Sequence, residues 1–144
     1  MLDLKGGCHC GNIKVEVGLS RPPGAYNPRA CDCDFCMKHG AAYLSDRDGA
    51  LRIRIKDARL LSKYRQGSGQ AEFLVCANCG VLVAVSYKDA GRTVAAVNSQ
   101  AIEGVRFGEK TTASPKKLGP EDKTKRWKDL WFQDVSLVQE ESVG

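Results

Sequence analysis

The chain has 144 residues, with 22 Lys and Arg against 17 Asp and Glu, a formal charge of +5, and only 7% aromatic residues. No stretch approaches the roughly 20 consecutive apolar residues of a membrane helix, which excludes a helical membrane protein, and the length suits one domain, 1–144, with a modest core. A mean hydropathy of -0.34 and the mild positive charge leave room for an anionic ligand without demanding one.

In chain order, Ile13, Val15 and Val17 alternate with Lys14 and Glu16, the period of a half-buried strand. One helical turn is expected after Cys33, then a strand from Ala42 to Leu44. Leu51, Ile53 and Ile55 alternate with Arg52 and Arg54 as the next strand. Strands from Leu60 to Arg65 and Ala71 to Val75 follow, with Gln66-Gly67-Ser68-Gly69 closing a hairpin between them. Apolar runs from Val81 to Tyr87 and Val94 to Asn98 predict two more. Gly119-Pro120 then opens a short helix from Glu121 to Phe132 that places Trp127, Leu130 and Trp131 on one face, and Asp134 to Val138 closes the list of strands. The fold class is mainly β with one short C-terminal helix.

All seven cysteines fall into three clusters, Cys8-x-Cys10, Cys31-x-Cys33-x-x-Cys36 and Cys76-x-x-Cys79. A closed tetrahedral zinc site takes four soft ligands and an open one takes three plus a vacancy, so seven thiols divide naturally into four and three. Disulfides fit poorly, because the count is odd and the spacings are short. The start, Met1-Leu2-Asp3-Leu4-Lys5, lacks a basic segment followed by an apolar run, so a reducing cytoplasm is the expected home. If residues 8–10 are extended, Cys8 and Cys10 face one side and His9 the other, leaving His9 a bystander. Cys76-Ala77-Asn78-Cys79-Gly80 reads as a zinc knuckle in which Gly80 supplies a positive φ. A redox reading of Cys76 and Cys79 loses on context, since an apolar strand rather than a helix follows. Joining the first and third clusters makes a closed four-cysteine site. The middle cluster can hold one zinc with a position open, or His39 can close it as a structural site; spacing leaves both readings standing.

Gly7-Cys8-x-Cys10-Gly11, then Cys31-x-Cys33-x-x-Cys36 with Gly40 close behind, then Cys76-x-x-Cys79-Gly80, resemble the glutathione-dependent formaldehyde-activating enzyme family, which includes centromere protein V. The resemblance is clearest over residues 5–98. It implies a zinc-containing β-tent of small antiparallel sheets and two zinc ions per chain. Cys8, Cys10, Cys76 and Cys79 correspond to the structural zinc site; Cys31, Cys33 and Cys36 correspond to the catalytic one. The implied activity is that of a carbon–sulfur lyase, written as synthesis: glutathione and formaldehyde give S-(hydroxymethyl)glutathione. Asp32 departs from the family pattern, standing where many members have His, and the charged stretch from Ser114 to Lys128 matches no family pattern.

Three thiolates on Zn2+ carry a net charge of -1, which weakens the metal as a Lewis acid and suits a soft sulfur better than a hydroxide. Such a site needs nearby positive charge, for which Arg29, Lys38 and Arg47 are candidates that could also meet the carboxylates of glutathione. Asp32 and Asp34 flank the cysteines as possible proton carriers or metal-ligand supports, with turn capping as the plainer role. No Ser/His/Asp arrangement is present.

A second reading is a non-catalytic, zinc-stabilised module for nucleic acid or protein. Lys116, Lys117, Lys123, Lys125, Arg126 and Lys128 beside Trp127 and Trp131 could form a basic stacking surface. Helical spacing of the tryptophans favours packing instead, and Glu121, Asp122 and Asp129 dilute the charge, so a small-molecule thiol is the expected partner. Oligomeric state is left open by the sequence.

Overall fold

The computed structural model describes residues 2–66, 69–114 and 118–139. In chain order its elements are β1 (Leu4–Gly7), β2 (Ile13–Gly18), β3 (Arg29–Cys31), α1 (Asp34–His39), β4 (Ala42–Leu44), β5 (Ala50–Ile55), β6 (Leu61–Tyr64), β7 (Glu72–Cys76), β8 (Leu82–Asp89), β9 (Arg92–Asn98), β10 (Thr111–Ala113), α2 (Pro120–Leu130) and β11 (Asp134–Gln139). The expected strands are all present. Of the expected hairpin, β6 and β7 do pair antiparallel, while Gly67 and Ser68 lie outside the described residues.

Two sheets form, one ordered β1-β2-β5-β11 and the other β10-β3-β4-β9-β8-β7-β6. In the smaller, Ile13, Val15 and Val17 stand opposite Ile55, Ile53 and Leu51, so one face is wholly apolar. Its other face carries the charges: Glu16 and Arg54 approach to 3.7 Å. The central strands of the larger sheet are buried on both faces. Leu74, Ala84, Ala95 and Val97 pack against the smaller sheet, while Phe73, Val85, Val94 and Ala96 join a second core with Cys36 and Trp131. Double burial is why residues 82–85 and 94–97 read as unbroken apolar runs.

Antiparallel pairing dominates, but two late segments add in parallel at sheet edges: β11 beside β5 and β10 beside β3. β1, β3 and β10 were not expected. They are three or four residues long, and Leu4-Lys5-Gly6-Gly7 and Thr111-Thr112-Ala113 lack an apolar alternation to announce them. Gly6 shows what such a strand needs instead. A Cβ there would sit 2.0 Å from the Ala101 carbonyl oxygen, so only glycine permits the bridge to Ile102. No helix among the described residues is long and apolar enough to cross a membrane.

One buried charge ties loops to the core. Asp46 accepts hydrogen bonds from the Tyr26 hydroxyl at 2.5 Å, the Ser20 hydroxyl at 2.8 Å and the Ser20 and Asp48 amides at 2.7 and 3.0 Å. Burial opposes its ionisation, but these donors outweigh burial and hold its carboxyl below the ordinary 3.8. A depressed carboxyl stabilises the fold above its unfolded value and stops doing so as pH falls through the folded one. Asp46→Ala should therefore cost about 2 kcal/mol in urea unfolding at neutral pH. The difference from wild type should shrink once the pH drops below that ordinary value; a difference unchanged in acid would mean the charge plays no part.

Candidate metal centres

Two loops, one entering each sheet, converge on the first cysteine cluster. The Cys8 amide donates to the Ile13 carbonyl at 2.9 Å, and the Cys76 amide donates to the Val81 carbonyl at 3.0 Å, so both loops close in the same way. Gly11 and Gly80 take φ of 86° and 81°, the positive values these turns require. The chain bends after Cys8 rather than remaining extended, and that bend, not strand alternation, brings Cys10 round. His9 is exposed and outside the cluster, as expected.

The four sulfurs of Cys8, Cys10, Cys76 and Cys79 lie within 4.8 Å of one another. Cys8 to Cys10 is 3.7 Å and Cys10 to Cys76 is 3.5 Å. Zinc–sulfur bonds of about 2.3 Å put tetrahedral sulfurs about 3.8 Å apart, so the spacing fits zinc. Amides already point at the sulfurs: Ile13 N–H to Cys8 Sγ at 3.2 Å and Cys79 N–H to Cys76 Sγ at 3.4 Å. Burial raises Cys8 to about 11. At Cys10 the Asn78 amide and the Asn12 backbone N–H lower the thiol; at Cys79 burial is outweighed by the Cys10 and Val81 amides, giving about 6.

The second cluster is local. Cys31 ends β3, Cys33 caps α1 and Cys36 lies inside it, while Gly40 ends the helix in the left-handed conformation. Their three sulfurs also lie within 4.8 Å of one another, a soft donor set that fits zinc with one position left over. Cys36 Sγ is 3.1 Å from the Tyr43 hydroxyl, and the Gln66 amide donates to Cys33 Sγ at 3.7 Å. Hydrogen bonding from Cys36 lowers Cys31 to about 6; Cys36, the donor in that pair and buried, is pushed up. Burial also raises the Tyr43 phenol, followed by the charge of the neighbouring sulfurs, so it stays protonated and can donate. His39 is not grouped with these residues. It is exposed, with its ring 4.7 Å from that of Phe35.

A cavity of about 140 Å³ opens beside the three cysteines, with Phe73 and Val85 on its floor. α2 forms its wall through Lys123, Arg126 and Trp127, joined by Trp131 just after the helix, and Arg29 reaches it from β3. Arg29 and Cys31 are two apart on one strand and so share a face. Of the other basic candidates, Lys38 is exposed and does not line the cavity, and Arg47 turns instead to Asp129 at 3.8 Å. Leu130 is 41% exposed, so the inward face of α2 is carried by its tryptophans. Trp127 stacks on Trp131 at 5.1 Å and meets Tyr87 at 5.3 Å, so both rings pack within the protein at the cavity rather than forming an outward basic surface.

Lys123 and Arg126 face the cavity rather than a solvent stripe, and Lys128 pairs with Asp89; Lys116 and Lys117 lie outside the described residues. The Ser114 hydroxyl donates to Asp32 at 2.6 Å, fastening the segment after β10 to the cysteine loop. Asp34 is exposed in the first turn of α1. The sequence places Tyr43 and Gln66 in no site, and it offers Lys123 and Arg126 for a basic surface rather than for the cysteine cluster, since nothing in their spacing ties them to the cysteines.

Elemental analysis of protein grown with zinc should find about two zinc ions per chain, and His39→Ala should not change this. Loss of one ion in that variant would return His39 to the ligand set. Cys76→Ser should lower the melting temperature by more than about 10 °C and Cys36→Ser by less than half of that, because only the former opens a site that links the two sheets. The reverse ranking would exchange the roles of the clusters.

A sequence model described as glutathione-dependent formaldehyde-activating enzyme matches residues 3–121, further than the stretch over which the motifs alone are clear. A crystal structure of a Rhodobacter sphaeroides protein, 26% identical, is similar with a TM-score of 0.55 over 94% of this chain and 99% of that one. With every cysteine of both clusters inside the matched span, the chain belongs to the glutathione-dependent formaldehyde-activating enzyme family.

Proposed function

We propose that this protein is a zinc-dependent enzyme of the carbon–sulfur lyase type, joining a thiol, glutathione or a related one, to formaldehyde and reversing that reaction. Cys31, Cys33 and Cys36 hold the working metal in this reading; Cys8, Cys10, Cys76 and Cys79 hold a second metal as scaffold. One observation carries it. Four sulfurs close on one another, whereas the other three converge beside a cavity that also presents cationic side chains.

Zinc held by the three thiolates would supply a Lewis acid that favours the thiolate form of an incoming sulfur compound at neutral pH. The chain's own residues do the rest. Tyr43 donates to Cys36 Sγ, which orients that ligand and draws charge from it. Arg29 and Arg126 offer guanidinium groups to the thiol's carboxylate, and Trp127 with Trp131 excludes water from that side. The carbon–sulfur bond forms between the thiol sulfur and the carbonyl carbon, and the carbonyl oxygen gains the proton the thiol gave up. No protein nucleophile is consumed, so the gain comes from ionising the thiol and positioning it against the aldehyde.

Magnetisation-transfer NMR on mixtures of thiol, formaldehyde and adduct tests this. Zinc-loaded protein should raise the exchange rate at least about tenfold over buffer with glutathione or with a small thiol acid, and Cys33→Ser should abolish the effect. Exchange no faster than buffer with either thiol sinks the enzymatic reading.

A further inference from the structure

We propose that the thiol selected by this cavity carries a carboxylate on a single ring-sized apolar body, and that the larger, strongly hydrophilic glutathione is a poor fit. The inference rests on reading the Cys31, Cys33 and Cys36 cluster as the working site. Three properties of the cavity carry it: its size, its walls and its charge.

Ligand pockets for drug-sized molecules run to about 300 Å³ or more, whereas a cavity of about 150 Å³ in another protein holds one benzene. The present cavity has room for about 140 Å³ between its walls, nearer the second, and it opens to solvent beyond them. Its walls are carbon-rich, with Phe73, Val85, Trp127 and Trp131 surrounding the space in front of the sulfurs. A flat ring is the body such walls accept, through stacked and edge contacts.

The polar groups are cationic. Among the described residues no Asp or Glu lines the cavity, while Arg29, Lys123 and Arg126 do. Arg29 Nη2 donates to the Ser45 hydroxyl at 2.6 Å, and among the described residues no carboxylate forms an ion pair with Arg29 or Arg126. Burial, and then repulsion from Arg126, lower the pKa of Arg29, so the two guanidinium groups sit near each other with no carboxylate between them among the described residues. A ligand carboxylate relieves that repulsion and suits the guanidinium fork. Glutathione would bring two carboxylates and an ammonium group, and the cavity offers that ammonium no acidic partner. Lys123, Arg126, Trp127 and Trp131 all lie beyond residue 121, where the family match ends.

Calorimetry on the zinc-loaded protein can compare 4-(sulfanylmethyl)benzoate, its uncharged amide 4-(sulfanylmethyl)benzamide, and glutathione. The benzoate should bind at least about tenfold more tightly than either of the others. Arg126→Gln should remove the preference for acid over amide while leaving the affinity for the amide within about twofold. Glutathione binding as tightly as the benzoate overturns this substrate class and leaves the thiol site standing; binding of none of the three overturns the thiol site itself. A preference for the acid that survives Arg126→Gln overturns the assignment of its carboxylate to Arg126. The comparison of ligands uses only the unaltered protein, so it holds even if the variant folds poorly.

Discussion

The constraint on which the rest depends is the meeting of four sulfurs from two loops that belong to different sheets. Cys8 and Cys10 follow β1 of the smaller sheet, Cys76 and Cys79 close β7 of the larger one, and Cys10 touches Cys76 across a separation of 66 residues. Both loops close with the same amide-to-carbonyl bond and a positive-φ glycine, so each presents its sulfurs in a rigid frame. Holding these frames together fixes how the sheets lean on each other. It also fixes β7, whose Phe73 and Cys76 point to opposite faces of the larger sheet.

That sheet divides the labour between its faces. One face makes the apolar contact with the smaller sheet, through Leu74, Ala84, Ala95 and Val97. The other face, with Phe73 and Val85, becomes the floor of the cavity beside the second cysteine cluster. Because β8 and β9 are buried on both sides, the floor is stiff: a side chain on one face cannot shift without disturbing packing on the other. A rigid floor, a short helix that carries one of the three sulfurs and is capped by the residue of another, and a tryptophan-bearing helix as wall give the site its definition. From the same sheet, Tyr43 reaches the sulfur cluster with a hydrogen bond to Cys36.

Charge is distributed with the same economy. On the smaller sheet the cations face water and are paired with acids, as Arg54 is with Glu16 and Arg52 with Asp134 at 3.0 Å. Such exposed pairs contribute little to stability. The cations at the cavity are different, because Arg29 and Arg126 are partly buried close to one another without acidic partners among the described residues. Three thiolates on one divalent metal carry a net negative charge, and neighbouring cations offset it. The same cations then offer an anionic ligand its anchor, so metal and ligand draw on one local field.

The amino-acid sequence by itself determined the cysteine partition, the longer strands and the family. Those properties are local: a two-residue period in Ile13, Val15 and Val17, a tight spacer in Cys76-Ala77-Asn78-Cys79, a glycine where φ must be positive. It stayed silent on β1, β3 and β10, because strands of three or four residues exist only through their partners. It also left His39 level with an open position, since spacing cannot say which way a side chain turns, and the ring turned to Phe35. Only the tertiary structure decided that α2 walls the cavity, with Lys123 and Arg126 inward and Leu130 outward. An amphipathic helix of tryptophans and lysines can dock in more than one rotation. The surface that received it, assembled from strands distant in sequence, chose among them.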